Sequence, residues 1–307
     1  MATDLSFNMY FSGQSFMGVY DLGTAQSMID HSKQTLQKVK GYAGNSAGAI
    51  AACMVLTSPG TLMSYLEDIL RLSDKINNLP DGALNQNCDI INDVKLILQS
   101  HLRHDAHLTC AGRLYVPIAE LAVMEEDTSP FAVSRPTEDK AGIYLVGGNR
   151  CRLAGTVVVS NFDSKEDLIE VLLAAIYQPF NQSWTIPNYK GKLWMDVSPF
   201  CVNPDGLQNI PFSHRGRLIT IAPNKHANQV RPLDCFSPGS MNESTGTRPS
   251  LTNPLQMSKY GNTFYPPKRE TLLNTFRLAA EDGKQFLKKW NMFERALDSY
   301  EAQNPYH

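Results

Sequence analysis

The chain has 307 residues, of which 42% are hydrophobic and 19% are charged, a balance typical of globular proteins that bury a sizeable core. Its 28 basic and 30 acidic side chains leave a formal net charge of -2, so no overall basic field is available to hold nucleic acid. Mean hydropathy is -0.27, and no uncharged apolar run approaches the roughly 18 residues of a membrane-spanning helix.

The cysteines and the N-terminus indicate the cellular compartment. Six cysteines are scattered along the chain without a C-x-x-C pair, which argues against a disulfide framework or a zinc site. The N-terminus carries Asp4 and lacks the basic segment of a secretory signal. We therefore expect a reduced, cytoplasmic protein, with peripheral contact at a membrane or lipid droplet left open.

Predicted strands and helices alternate along the chain. Residues 5–11 alternate apolar and polar positions as a strand does, and the small-residue turn 12–18 follows. The run 47–56 is apolar almost all round and predicts a buried helix. Further helices are predicted at 21–38, 61–72, 93–102 and 270–287, and another, capped by Asp163 or Ser164, runs through Leu168, Val171, Leu172 and Ile176. Strands are predicted at 39–43, 113–120, 156–160 (buried), 192–196 and 217–221. Such alternation favours an α/β sheet covered on both faces.

Two stretches interrupt this alternation. Residues 124–152 predict a long loop or a hairpin insertion that turns at Gly147-Gly148. Residues 228–267 hold six of the 18 prolines and predict an irregular connection, whose aromatic and methionine side chains we expect to pack over the core. The expected organisation is a domain over 5–223, an irregular Pro/Ser/Asn-rich connection over 224–267 and a helical segment over 268–307 that packs on the domain.

A possible nucleophile lies between the second strand and the buried helix. Gly44-Asn45-Ser46-Ala47-Gly48 matches G-x-S-x-G, in which a sharp strand-to-helix turn exposes the serine hydroxyl. Glycines on either side let the flanking chains approach closely, and the N-terminus of the following helix favours negative charge on a substrate oxygen. The structural alternative is a helix start with Ser46 as its N-cap.

Several motifs occur in order along the chain: Ser12-Gly13-Gln14-Ser15-Phe16-Met17-Gly18-Val19-Tyr20, Gly41-Tyr42-Ala43-Gly44-Asn45-Ser46-Ala47-Gly48-Ala49, Asp105-Ala106-His107, Gly112-Arg113-Leu114-Tyr115-Val116, Val159-Ser160-Asn161-Phe162-Asp163-Ser164-Lys165-Glu166-Asp167-Leu168-Ile169, Ile219-Thr220-Ile221-Ala222-Pro223 and Tyr265-Pro266-Pro267. Together they resemble the patatin-like phospholipases, and in particular the branch of adiponutrin and adipose triglyceride lipase. The resemblance covers about residues 5–290, and several matches in order are more specific than any one of them.

The resemblance implies a three-layer α/β/α fold with a mostly parallel central sheet, and a Ser-Asp dyad that needs no catalytic histidine, metal or organic cofactor. The implied nucleophile is Ser46, in the elbow of Gly44 and Gly48, and the implied proton acceptor is Asp196 in Lys192-Leu193-Trp194-Met195-Asp196. Backbone amides of the glycine-rich loop are the implied oxyanion donors: Gly13, Gln14, Ser15 and Gly18. The implied activity is hydrolysis of acylglycerol or phospholipid esters through an acyl-enzyme, and the implied partner is an acyl lipid.

Three positions depart from the family pattern. Ser15 replaces the middle glycine of the loop, and strain is expected there if the position needs a positive φ. Val197-Ser198 replaces the two small residues after the aspartate, and Asp21 stands where close relatives have a histidine. These departures keep open a degenerate lipid-binding or interaction protein with little hydrolase activity.

Histidines offer alternative chemistry. A Ser-Asp-His triad requires a histidine after the acid, for which His214 and His226 are the candidates. His101, His104 and His107 are spaced by three residues, but no carboxylate or fourth histidine completes a metal set, so surface positions are expected.

Overall fold

A mostly parallel sheet lies at the centre of the molecule, and helices flank it. The computed structural model describes residues 6–124, 143–179, 181, 183–197, 210–222, 235–236 and 261–294. The strands in these ranges are β1 (Phe7–Phe11), β2 (Val39–Gly44), β3 (Leu114–Val123), β4 (Ile143–Val146), β5 (Asn149–Val159), β6 (Asn188–Tyr189), β7 (Lys192–Met195), β8 (Arg217–Ile221) and β9 (Cys235–Phe236). The mixed α/β class with a mostly parallel sheet, predicted from the sequence, is confirmed.

The strand order is β4-β5-β3-β2-β1-β8-β9. From β3 to β9 all neighbours along this order are parallel, and the register pairs Phe11 with both Gly44 and Ile221. The carboxyl ends of β1, β2 and β8 therefore lie at one edge of the sheet, where ligands bind in open α/β sheets. Beyond its short pairing with β2, β3 continues between antiparallel neighbours, β5 on one side and β7 on the other.

The helices connect and cover these strands. They are α1 (Val19–His31), α2 (Lys33–Gln37), α3 (Ala47–Thr57), α4 (Leu62–Asn77), α5 (Ile90–His101), α6 (Ala106–Cys110), α7 (Lys165–Ile176), α8 (Gly261–Phe264) and α9 (Arg269–Lys289). No single helix in these ranges has the length and hydropathy to cross a membrane; α3 together with Pro59–Asn77 meets both conditions, as a pair bent by 115°.

Two predicted elements differ from the structure. The helix predicted over 21–38 is two helices, because Ser32 adopts φ -155 and ψ 45 between α1 and α2. The strand predicted as buried over 156–160 belongs to the long antiparallel β5, and its buried character is wrong, since Thr156 is exposed and Val157 is 41% exposed. An antiparallel strand can leave one face to solvent, whereas the apolar run TVVV is typical of a strand covered on both faces.

The predicted hairpin insertion is confirmed where the structure describes it. β4 and β5 are antiparallel, and Gly147 and Gly148 between them have φ of +56 and +81. Residues 125–142 and most of 224–260 lie outside the described ranges, as do Ser198 and His226.

The C-terminal helix α9 packs along α1. The Tyr20 hydroxyl donates a hydrogen bond to Asp282 Oδ2 at 3.0 Å, and both residues are buried. A glycine on each helix, Gly23 and Gly283, lets the two backbones approach closely. Because α1 begins directly after the glycine-rich loop, this packing fixes the base of that loop.

Candidate active site

Ser46 lies at the corner between β2 and α3. It has φ 51 and ψ -133, a conformation that a non-glycine residue adopts only when its surroundings enforce it. The Asn45 N–H donates to Phe11 O at 3.1 Å, which ties this corner to the end of β1. Ser46 is therefore held in the strained conformation that the motif predicts, and 7% of its surface is exposed.

Glycines let the loop after β1 contact this corner. A Cβ on Gly48 would lie 2.2 Å from Phe11 O and 2.6 Å from Gly13 N, and a Cβ on Gly13 would lie 2.3 Å from Asn45 O. No side chain fits at either position without displacing backbone. The two glycines thus bring the loop amides next to the start of α3.

The loop itself is strained. Gly13, Gln14 and Ser15 have φ of 69, 140 and 51, so the serine that replaces the middle glycine does occupy a positive φ. In the described part of the chain no hydrogen bond engages the N–H of Gln14 or of Ser15. The Gly13 N–H, in contrast, donates to Asp21 Oδ2 at 3.1 Å. Of the four predicted oxyanion donors, Gln14 and Ser15 therefore have amides that are available to a ligand, and the Gly13 amide is engaged.

Asp21 holds the loop through the hydrogen bond that it accepts from the Gly13 N–H. The residue is fully buried, and burial raises the pKa of its carboxyl well above the usual range, while the hydrogen bond from Gly13 acts in the opposite direction. Its other oxygen, Oδ1, is buried without a hydrogen-bond partner among the described residues. Asp21 is thus a structural group behind the loop and not a surface residue.

A pocket with a cavity volume of about 90 Å³ opens in front of Ser46. Ser15, Gly18 and Ala47 line this pocket together with Ser46. Most of the remaining wall is apolar and comes from α4 and α5 and from the chain around the end of α7: Tyr65, Ile69, Leu72, Ile90, Ile91, Val94, Ile176 and Trp184. Such a wall suits a hydrocarbon chain.

Two further polar side chains line this pocket, Gln178 and Thr263. Gln178 Oε1 and Thr263 Oγ1 are both buried, and neither has a hydrogen-bond partner in the described ranges. Sequence reasoning missed both residues. The available signal was a polar side chain, Gln178, two residues after the end of the apolar helix α7, whereas nothing in the sequence marks Thr263.

Asp196 directly follows β7 and contacts Gln178. Its backbone N–H donates to Tyr177 O at 2.8 Å, its Oδ2 accepts a hydrogen bond from Gln178 Nε2 at 3.2 Å, and the residue is fully buried. It does not line the pocket, and no hydrogen bond joins it to Ser46 Oγ within the described ranges. The structure thus brings Ser46, Ser15, Gly18 and Gln178 to one cavity and links Asp196 to it through Gln178.

The histidine alternatives lie elsewhere. His214 is exposed, forms a hydrogen bond with Ser213 at 2.9 Å between Nδ1 and Oγ, and does not line the pocket of Ser46. His101 Nε2 lies 2.8 Å from Asp68 Oδ2 in a part-buried contact between α5 and α4. Among the residues that the structure describes, no three of the types His, Cys, Asp and Glu are grouped to hold a metal.

No family model matches the chain, but curated proteins do. Patatin-like phospholipase domain-containing protein 4 of Homo sapiens is 25% identical over 290 residues, which cover 94% of this chain and 98% of that protein. Patatin-like phospholipase domain-containing protein 2 of Rattus norvegicus is 21% identical over 93% of this chain and 52% of its own length. Omega-hydroxyceramide transacylase of Homo sapiens is 23% identical over 94% of this chain and 47% of its own length. The chain spans nearly all of the first relative and about half of the other two.

Proposed function

Because this chain is a homologue of patatin-like phospholipase domain-containing proteins, in the branch of adiponutrin and adipose triglyceride lipase, we propose that it is a serine hydrolase cleaving carboxylic esters of acylglycerols or phospholipids. The observation that carries the proposal is the position of Ser46. Its strained strand-to-helix corner lines an apolar pocket, beside a loop in which two amides have no partner among the described residues.

In the proposed mechanism the acyl chain occupies the apolar pocket and its carbonyl lies against Ser46. Asp196 takes the hydroxyl proton, and Ser46 Oγ attacks the carbonyl carbon. The negative charge that develops on the carbonyl oxygen is stabilised by the amides of Gln14 and Ser15 and by the N-terminus of α3. The alcohol leaves with the proton from Asp196, and water then hydrolyses the acyl-enzyme.

The proposed mechanism requires the Asp196 side chain to move. Asp196 accepts a hydrogen bond from Gln178, and none joins it to Ser46 among the described residues, so a rotation of the Asp196 side chain must bring its carboxylate to the hydroxyl when substrate binds. Catalytic hydrogen bonds often tighten only in the reacting complex, so a hydrogen bond between Asp196 and Ser46 that forms when substrate binds is compatible with a dyad.

The proposal is tested by labelling with a fluorophosphonate probe and locating the adduct by mass spectrometry. We expect the adduct on Ser46. Ser46→Ala should lower hydrolysis of a short-chain nitrophenyl ester by roughly a thousandfold or more, and Asp196→Asn by roughly a hundredfold or more.

His214→Ala is the matched control, because its side chain is exposed and contacts Ser213 outside the pocket. If this variant loses activity while Asp196→Asn retains it, a triad replaces the dyad. A folded protein that the probe does not label at Ser46 contradicts the hydrolase and favours a lipid-binding protein.

A further inference from the structure

Gln178 is a buried amide at the boundary between the apolar pocket and Asp196. It follows α7, 6% of its surface is exposed, and its neighbours in the pocket wall include Ile176 and Trp184. A buried polar side chain in such surroundings destabilises the fold unless its hydrogen bonds are made. The two ends of this amide are therefore informative.

One end of the amide is satisfied and the other is not. In the proposed mechanism Asp196 is a carboxylate, which only accepts hydrogen bonds, so the NH₂ end faces Asp196, and Nε2 donates to Asp196 Oδ2 at 3.2 Å. This orientation assigns the remaining end to the oxygen, and Oε1 is buried without a partner in the part of the chain that the structure describes. A buried acceptor left in this state destabilises the protein, so the site favours a molecule that donates to it.

The position of Oε1 suits a small donor next to Asp196. Oε1 and Nε2 share one carbon atom, and Nε2 contacts the carboxylate, so one water molecule can donate to Oε1 and to Asp196 together. An alcohol has a single O–H group and can donate to only one of the two. The pair of acceptors therefore discriminates between water and an alcohol by the number of protons that each offers.

We propose that Gln178 positions the water that hydrolyses the acyl-enzyme and so directs the reaction to hydrolysis over acyl transfer to an alcohol. The inference rests on the proposed function of Ser46 and Asp196. The water oxygen bonds to the acyl carbon while one of its protons moves to Asp196. The bond between that carbon and Ser46 Oγ then breaks, Ser46 Oγ takes the proton from Asp196, and the free acid leaves.

The test measures how the acyl-enzyme partitions between two acceptors. A short-chain nitrophenyl ester is turned over in buffer containing methanol, and free acid and methyl ester are both quantified. Gln178→Met keeps the side-chain length and removes both hydrogen-bonding ends. We expect hydrolysis to fall by about tenfold or more and the ratio of methyl ester to acid to rise by about tenfold, the effect of losing one strong hydrogen bond.

Gln37→Met is the matched control, because Gln37 is exposed on α2 and does not line the pocket. Its product ratio should equal that of the wild type. If circular dichroism shows that Gln178→Met does not fold, Gln178→Asn replaces it, since it keeps the amide and withdraws it by one methylene, and the same shift in ratio is expected.

The two proposals fail in different ways. If the fluorophosphonate probe labels Ser46 in the wild type and in a folded Gln178 variant, but the product ratio is unchanged, the role of Gln178 is overturned and the serine hydrolase stands. If Ser46 is not labelled in the wild type, the proposed function fails and the inference falls with it. A shifted ratio with normal labelling supports both.

Discussion

At the scale of single residues, the loop before α1 contains three successive positive φ angles, and only the first belongs to a glycine. Gln14 and Ser15 adopt conformations that a Cβ disfavours, and neither amide has a hydrogen-bond partner in the described structure. Strain of this kind persists where the surrounding contacts fix the backbone, and it is common at functional sites. A glycine at either position would relieve the strain without removing the N–H.

We expect Ser15→Gly to stabilise the protein. The left-handed conformation of an L-residue destabilises the folded state by about 1–2 kcal/mol. Replacing it by glycine removes this strain, but the greater freedom of glycine in the unfolded chain offsets roughly 0.4–1 kcal/mol of the gain. The free energy of unfolding should therefore rise by up to roughly 1 kcal/mol in urea denaturation, and esterase activity should be retained or raised. Ser64→Gly is the control, since Ser64 is exposed on α4 with helical φ and has no strain to relieve. Equal destabilisation by both changes would contradict the strain at Ser15.

A second residue-scale prediction concerns Asp21. Its carboxyl keeps a proton in the folded protein to a higher pH than in the unfolded chain, because burial raises the pKa and the bond from Gly13 offsets only part of that effect. The stability that this group contributes is fully present below about pH 4 and is lost as the pH rises through the folded pKa. Asn cannot ionise and keeps an oxygen for the Gly13 N–H, so the stability of the wild type should fall relative to Asp21→Asn as the pH rises.

The measurement for Asp21 is urea denaturation of both proteins at several pH values between about 4 and 8. Using the difference between the two proteins cancels the contribution of other titrating groups. A difference that does not change with pH would show that Asp21 has the same pKa in the folded and unfolded states.

At the scale of elements, helix boundaries followed from local chemistry where a cap was present. Ser164 is the N-cap of α7, and its Oγ accepts a hydrogen bond from the Asp167 N–H at 3.0 Å, one of the two caps predicted there. The break at Ser32 could not be predicted, because the residues of α2 continue the helical spacing of α1. The exposure of β5 was missed for a similar reason: a run of valines shows that a strand forms and does not show which faces are covered.

The packing of α1 on α9 is the element-scale feature that we expect to be most sensitive. A Cβ on Gly23 would lie 2.2 Å from Phe276 O and 2.8 Å from Ala279 Cβ, and the backbone contact cannot be relieved by a rotamer change. Gly23→Ala should therefore reduce the free energy of unfolding by about 1–3 kcal/mol and increase proteolysis of α9. Gly60→Ala is the control, with nothing within 4 Å of the added atom. If the two variants are equally stable, the helices do not pack as closely as described.

At the scale of the whole molecule, the site is assembled from positions that are far apart in the chain. The neighbourhood of the loop and Ser46 follows from the sheet, because the register of β1 with β2 pairs Phe11 with Gly44 and places both strand ends together. A sequence that predicts two parallel neighbouring strands therefore predicts this half of the site. The other half comes from the chain after α7 and from α8, where no periodic pattern fixes the position of Gln178 or Thr263. Long-range packing alone brings these residues to the pocket.

The same assembly predicts which esters the pocket accepts. Ile91 is buried on α5 and lines the apolar wall, whereas Leu96 on the same helix is 56% exposed. Ile91→Phe adds volume inside the cavity and should exclude the distal methylenes of a long acyl chain while leaving room for a short one. Losing burial of about two methylenes, each worth about 0.8 kcal/mol, should lower kcat/KM for a dodecanoyl nitrophenyl ester by about tenfold relative to a butyryl ester. Leu96→Phe is the control, because it adds the same ring on the solvent side of α5 and should leave the ratio of the two kcat/KM values unchanged. If Ile91→Phe lowers kcat/KM equally for both esters, the acyl chain binds elsewhere.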